Sequence, residues 1–245
     1  METKSNKTIV LECYRKIIRD LDLSLVDEYI RGDYIQHSPT VKDGKAGLLE
    51  MLEFLKTLPQ PAERGPSPII RTIADGDFVA VHLDIKFMGR RMAVIDLFRL
   101  QDGFIAEHWD AGQAQQEQAD GFITMTNGIS VIDERADQEV NKKLIDKFYQ
   151  EILENGRPME TDKYITENYL DHDPDGKLLK ISDYNVKIHR LVAEGDFVMA
   201  QCEFINSINR YAHYDMFRIE GDKIAEHWCV EQEVPLTMAH TNGMF

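Results

Sequence analysis

Cysteine is scarce in this chain of 245 residues. Cys13, Cys202 and Cys229 are odd in number and share no CxxC spacing, so a disulfide frame is excluded and free thiols in a reducing compartment are expected. Long apolar runs are also missing. FVAV (78–81) and AVIDLF (93–98) fall far short of the ~20 residues that a membrane-spanning helix needs. The opening METKSNKTIV has no apolar h-region, so no secretory signal is expected. Positive charge is short as well: 28 Lys and Arg face 43 Asp and Glu, a net charge of −15. A chain this acidic repels phosphate backbones, which argues against nucleic acid as a partner. The expectation is a cytoplasmic soluble protein, with no membrane association.

What is present is a repeat. IADGDFVAV (73–81) returns as VAEGDFVMA (192–200), and DLFRLQDGFIAEHW (96–109) as DMFRIEGDKIAEHW (215–228), both 119 residues on. Upstream the offset is 135, with YIQH (34–37) facing YLDH (169–172) and Tyr14 facing Tyr149. A TNG tripeptide closes each copy, at 126–128 and 241–243. Each half is therefore read as a domain-sized unit, 1–130 and 136–245, joined through the polar stretch NGISVIDERADQ (127–138). The offsets differ because the second copy is shorter between its Gly-Lys (176–177) and Val192. There it has no room for the helix that Leu48, Leu52 and Leu55 predict over 46–58, which Pro59 and Pro61 would stop.

Within each half the pattern predicts a long amphipathic helix (5–20 and 138–154), a shorter one (23–31 and 160–167) and then several strands. QDG and EGD read as hairpin turns leading into FIAEHW and KIAEHW. Helices followed by antiparallel strands make an α+β fold, a curved sheet wrapped on a helical layer with one open end.

The ordered set Y-I-Q-H-x-P, D-G-K, G-D-x-V-A-V-H and D-x-F-R-x-x-D-G-x-I-x-E-H-W-D resembles the SnoaL-like polyketide cyclases. These belong to the nuclear transport factor two-like superfamily, with ketosteroid isomerases and limonene epoxide hydrolases. The resemblance covers most of the first copy and, more loosely, the second. It implies two tandem cone-shaped α+β barrel domains, each around a cavity, packed on each other within one chain as a pseudo-dimer, so that the chain is a monomer. It also admits enzymes, ligand carriers and adaptors, because fold alone does not fix function.

Strand alternation puts His108 and Asp110 on one face, Glu107 and Trp109 on the other, and Asp96 beside Val94 and Phe98 on the neighbouring strand. An acidic residue among apolar neighbours points to a cavity wall. The resemblance maps the acid/base aspartate onto Asp110. The expected roles are Asp110 as base, His108 as the group that orients it or stabilises an enolate, and His37, Asp96, Tyr34 and His82 as substrate contacts. A carboxylate in an apolar pocket loses solvation, its pKa rises, and it becomes a useful base at neutral pH. Such chemistry, an aldol cyclisation or keto–enol isomerisation of a small apolar carbonyl compound, needs no metal or organic cofactor. The alternatives are a non-catalytic small-molecule-binding protein and a protein-interaction adaptor. In the second copy a thiol, Cys229, replaces the carboxylate, so that half reads as a degenerate partner. His172, His213, His227 and Cys229 are zinc-type ligand residues there, without an established ligand spacing; the opposing reading is a decayed pocket of neutral histidines.

Overall fold

In a computed structural model of the chain, residues 4–59, 65–115, 123–154, 158–173, 176 and 184–245 are described. The first unit opens with α1 (Asn6–Cys13), which Ser5 caps through a bond from the Thr8 amide. The helix continues as a π-helical stretch to Arg19. A short α2 (Val26–Tyr29) leads directly into strand β1 (Ile30–Gln36). The α3 helix (Gly44–Thr57) follows, then β2 (Ile69–Asp75), β3 (Phe78–Phe87), β4 (Arg90–Gln101) and β5 (Phe104–Ala114). The sheet order is β1-β5-β4-β3-β2, with β1 parallel to β5 and the other pairs antiparallel.

The second unit repeats this plan with α4 (Gln138–Phe148), a π-helical stretch to Glu154, and strands β6 (Ile165–Asp171), β7 (Asn185–Glu194), β8 (Phe197–Ile205), β9 (Arg210–Glu220) and β10 (Lys223–Glu233). Its order, β6-β10-β9-β8-β7, is the same. Both sheets are open, so the expected cones do not close into barrels. The missing third helix was expected in a stretch of which 177–183 lies outside the described residues, as does Pro61 of the predicted helix stop.

The hairpin signals hold. Asp102 and Gly103 sit at φ 54° and 81° between β4 and β5, the left-handed pair that a tight hairpin turn requires. The second predicted helix is shorter than expected in both units. Its last residues belong instead to β1, and in the second copy to β6, because β-branched Ile30 and Ile165 there pair with β5 and β10.

Each sheet has two largely apolar faces. Val79, Val81 and Leu83 point inward onto α1 and α3. Ala80, Ile95, Leu97 and Trp109 point outward and meet Met199, Tyr214, Met216 and Trp228 of the other sheet. The two sheets therefore lie back to back. The contacts between them come in two-fold pairs. Arg71 lies 3.8 Å over the Trp228 ring and Arg190 lies 4.2 Å over the Trp109 ring. Gln232 Oε1 accepts from Gly112 N, and Gln113 Oε1 accepts from Glu231 N. Lys7 pairs with Glu194 and Lys142 with Asp75, each at 2.8 Å. Both tryptophans are fully buried, and desolvated cation–π contacts of this kind are worth about 2 kcal/mol each.

Candidate active site

The inward face of the first sheet opens onto a large hollow. The cavity measures about 1450 Å³ and lies between the sheet, α1 and α3. Its walls are mostly apolar, from Ile17, Leu48, Met51, Leu83, Val94 and Phe98. Four of the residues singled out from sequence line it: Tyr34, Asp96, His108 and Asp110.

The β4–β5 register sets Asp96 directly opposite Asp110 and Phe98 opposite His108. Residues opposite one another across antiparallel strands have Cβ atoms ~5 Å apart, so two carboxylates are forced together. Burial pushes the Asp110 carboxyl above the ordinary range, the His108 cation pulls it back, and the Asp96 charge raises it further. Its Oδ1 atom is buried and has no hydrogen-bond partner. His108 Nε2 lies 3.4 Å from Asp96 Oδ1. Burial alone would lower the imidazole, but the bond to Asp96 and the charges of Asp96 and Asp110 outweigh it, and the net shift is upward.

Gln36, which sequence reasoning passed over, fixes the imidazole. Its side-chain Oε1 accepts from His37 N at 3.0 Å and from Ser38 N at 2.9 Å. Two backbone donors leave no doubt which end of the amide is oxygen. The same oxygen lies 3.0 Å from His108 Nδ1, so that nitrogen carries a proton and Nε2 is the one turned to Asp96. The Gln36 amide nitrogen donates to the Tyr34 hydroxyl at 3.0 Å. Tyr14 was also missed as a site residue. Its ring lines the cavity and packs edge-on to Phe98, and its hydroxyl has no partner. The signal was available, since Tyr14 recurs as Tyr149, whose hydroxyl donates a very short bond to Asp215, the equivalent of Asp96.

Two expected substrate contacts are elsewhere. His37 stacks on Trp109 at 4.7 Å, with Nε2 2.9 Å from Glu107 and Nδ1 donating to Gly243 O. It sits at the junction of the units because it follows β1 and turns to the Trp109 side of the sheet. His82 lies on the outward face of β3 beside Ala80 and bonds Arg71 through Nδ1. Alternation along β3 put it on the wrong side of the sheet for the cavity, and burial with the Arg71 charge lowers it to about 3.

In the second unit large side chains occupy the corresponding described positions. Phe204 stands where the first unit has Ile85 and stacks on His213 at 4.0 Å. Tyr149, Phe148 and Phe217 complete the packing. At its centre Asp215 Oδ1 accepts from His213 Nε2 at 3.0 Å and from His227 Nε2 at 2.7 Å. The outer nitrogens face Glu231 and Asp171, and Cys229 Sγ lies 3.2 Å from His213 Nε2. Burial alone would lower both imidazoles. Asp215, with Glu231 for His213 and Asp171 for His227, raises them to about 9 and about 10. Of the zinc-type candidates, His213 and Cys229 converge with Asp215, with ligand atoms within 4.8 Å of one another. His172 does not join them: it stacks on Trp228 at the junction and bonds Thr124 O. Every polar atom named in this cluster already has a protein partner, so the arrangement is a self-satisfied ion-pair network as it stands.

The model of the SnoaL-like domain family matches residues 11–108, from α1 to the His108 strand. The match falls within the first unit. Among solved structures, IdmH from Streptomyces antibioticus is 20% identical, covering 45% of this chain and 93% of its own, with a TM-score of 0.36. TsrD from Streptomyces laurentii is 19% identical over 46% and 92%, TM-score 0.36. An NTF2-like protein from Cytophaga hutchinsonii is 16% identical over 46% and 95%, TM-score 0.38. No curated protein matches the chain. None of the helices among the described residues is long and apolar enough to cross a membrane.

Proposed function

We propose that the SnoaL-like unit is a cofactor-independent lyase or isomerase that removes a proton next to the carbonyl of a small, mostly apolar compound, in an aldol cyclisation or keto–enol isomerisation. One observation carries this reading. Asp110 presents an unpartnered carboxylate oxygen to a cavity of about 1450 Å³ with chiefly apolar walls, and desolvation shifts it toward the basicity such a step needs. The C–H bond breaks toward Asp110, and the electron pair moves onto the carbonyl oxygen. His108 beside it and the free Tyr14 hydroxyl are the groups suited to stabilise that oxygen. Asp96 favours the charged form of His108.

In this reading the chain is a tandem of two units, 1–130 and 136–245, the second degenerate and serving to cover the outward sheet face of the first. The adaptor alternative needs an exposed sheet, and here each sheet covers the other. The test is Asp110→Asn against a panel of diketones and polyketide-like substrates. Loss of turnover with retained binding supports the base. Undiminished turnover overturns it, and binding without any turnover by the unaltered protein favours a ligand carrier.

A further inference from the structure

The cavity of the first unit is not built by the first unit alone. Gln232 and Ala239, both from the second, line it. Beyond β10 the chain crosses over, and residues 239–243 run along the 36–43 loop. Ala239 N donates to Pro39 O at 2.8 Å, His240 Nε2 to Ser38 O at 2.9 Å, and Asn242 Nδ2 to Gln36 O at 3.0 Å. The Asn242 side chain also bonds Asp43, whose Oδ1 accepts from Gln36 N at 3.1 Å. Both backbone groups of Gln36 are thus held, one by Asn242 and the other by the carboxylate that Asn242 contacts. Past this point the segment is anchored on its own unit, with Met244 buried in the core between the sheets and Phe245 stacked on His189 at 4.4 Å.

We infer that this C-terminal segment is a clamp that sets the proton placement of His108, with Asn242 as a positioning residue. The path is short. Asn242 and Asp43 fix the Gln36 backbone, Gln36 Oε1 is fixed by two backbone donors, and the same oxygen decides which imidazole nitrogen faces Asp96. In the second unit Asp171, a carboxylate on the strand β6 itself, takes the place of Gln36 against His227. The first-unit segment that crosses to it, 127–128, lies on Trp228, Glu226 and His172. The C-terminal unit is then a working part of the first site and more than a cover for its sheet.

The clamp stands on geometry, and only its effect on turnover rests on the proposed function. The test uses the full-length chain labelled with ¹⁵N, with His108 side-chain signals followed by NMR through a pH titration. Asn242→Asp keeps the shape of the side chain, removes the donated hydrogen and sets a carboxylate against Asp43. Asn242→Ala only deletes the contact and decides the matter alone should the charged variant lose its fold. Lys4→Ala, on the exposed end of the first helix, is the control. In both Asn242 variants the His108 Nδ1 proton should exchange with water at least about tenfold faster, and the apparent pKa should fall by roughly half a unit, the scale of one weakened hydrogen bond. Unchanged His108 signals in a folded Asn242→Ala variant would overturn the clamp. A displaced His108 in a protein inactive toward every carbonyl compound would leave the clamp standing and sink the proposed reaction.

Discussion

At equivalent points of the two sheets, a few side chains differ in size and polarity. Val94 in the first unit is His213 in the second, Ile85 is Phe204, Asp110 is Cys229 and Gln36 is Asp171. The frame around them is conserved in order and register, since Asp96 opposes Asp110 as Asp215 opposes Cys229. In the first unit the cluster faces open space with Asp110 Oδ1 and the Tyr14 hydroxyl unpartnered. In the second, each of these groups or its equivalent is consumed by a neighbour, Tyr149 on Asp215 and Cys229 against His213. The difference teaches that one scaffold offers two uses for a buried Asp–His pair. Beside the hollow it keeps a carboxylate oxygen unpartnered; packed over, the shared carboxylate is bonded by two imidazoles.

The largest effect should come from the reactive side. Asp110→Asn is expected to lower turnover by about 10²–10⁴-fold, the usual contribution of a positioned base, read by steady-state kinetics on the carbonyl panel, with the far-UV spectrum unchanged. On the satisfied side, Asp215→Ala strips the shared anion from two buried imidazoles. Losing one partner of such a network costs about 3–5 kcal/mol, which urea unfolding would show as a large drop in the midpoint. The mirror substitution in the first unit would change stability less, because Asp96 is joined there to one imidazole and not two.

The pH dependence separates the two clusters further. His213 and His227 are raised to about 9 and about 10 in the folded chain, above an unfolded value of about 6.5. Their stabilisation is complete below about pH 6.5 and is lost as pH rises through 9 and 10. Melting temperature should fall by several degrees from pH 7 to pH 10, and the fall should shrink in Asp215→Ala, where only Glu231 and Asp171 still hold the imidazoles. Activity follows the other cluster. It should rise as Asp110 deprotonates, above the usual carboxylate range, and decline as His108 loses its proton above the usual imidazole range.

The smallest effect is the most pointed. Cys229→Asp restores the carboxylate to the second unit but not the hollow, because Phe204 and Tyr149 remain. No gain in turnover is expected, in assays of the Asp110→Asn background where any new activity would stand out.

Much of this was legible in the sequence because repeats and alternation are strong local signals. The 119-residue offset predicted two like units, and the period of two along β4 and β5 put Asp96, His108 and Asp110 on one face. His82 was misjudged as a substrate contact, since nothing local says which face of β3 turns inward. His37 was misjudged for a similar reason: its position past the end of β1 depends on a stack with Trp109 and a bond to Gly243, 206 residues away. Gln36 and the C-terminal segment were hidden because their roles arise only when the 36–43 loop and residues 239–243 meet across the two units. Phe204 in place of Ile85 is a change of volume that no pattern of polarity registers.

The most direct test is the binding stoichiometry of an uncharged naphthyl ketone fluorophore, titrated against the intact chain and against Ile85→Phe, which copies the second unit's filling side chain into the first. One site per chain, weakened at least about tenfold in Ile85→Phe and unaffected by Cys229→Ala, is the predicted result. Two equivalent sites, or one that Ile85→Phe leaves untouched, would contradict the assignment of the hollow and its acid to the first unit.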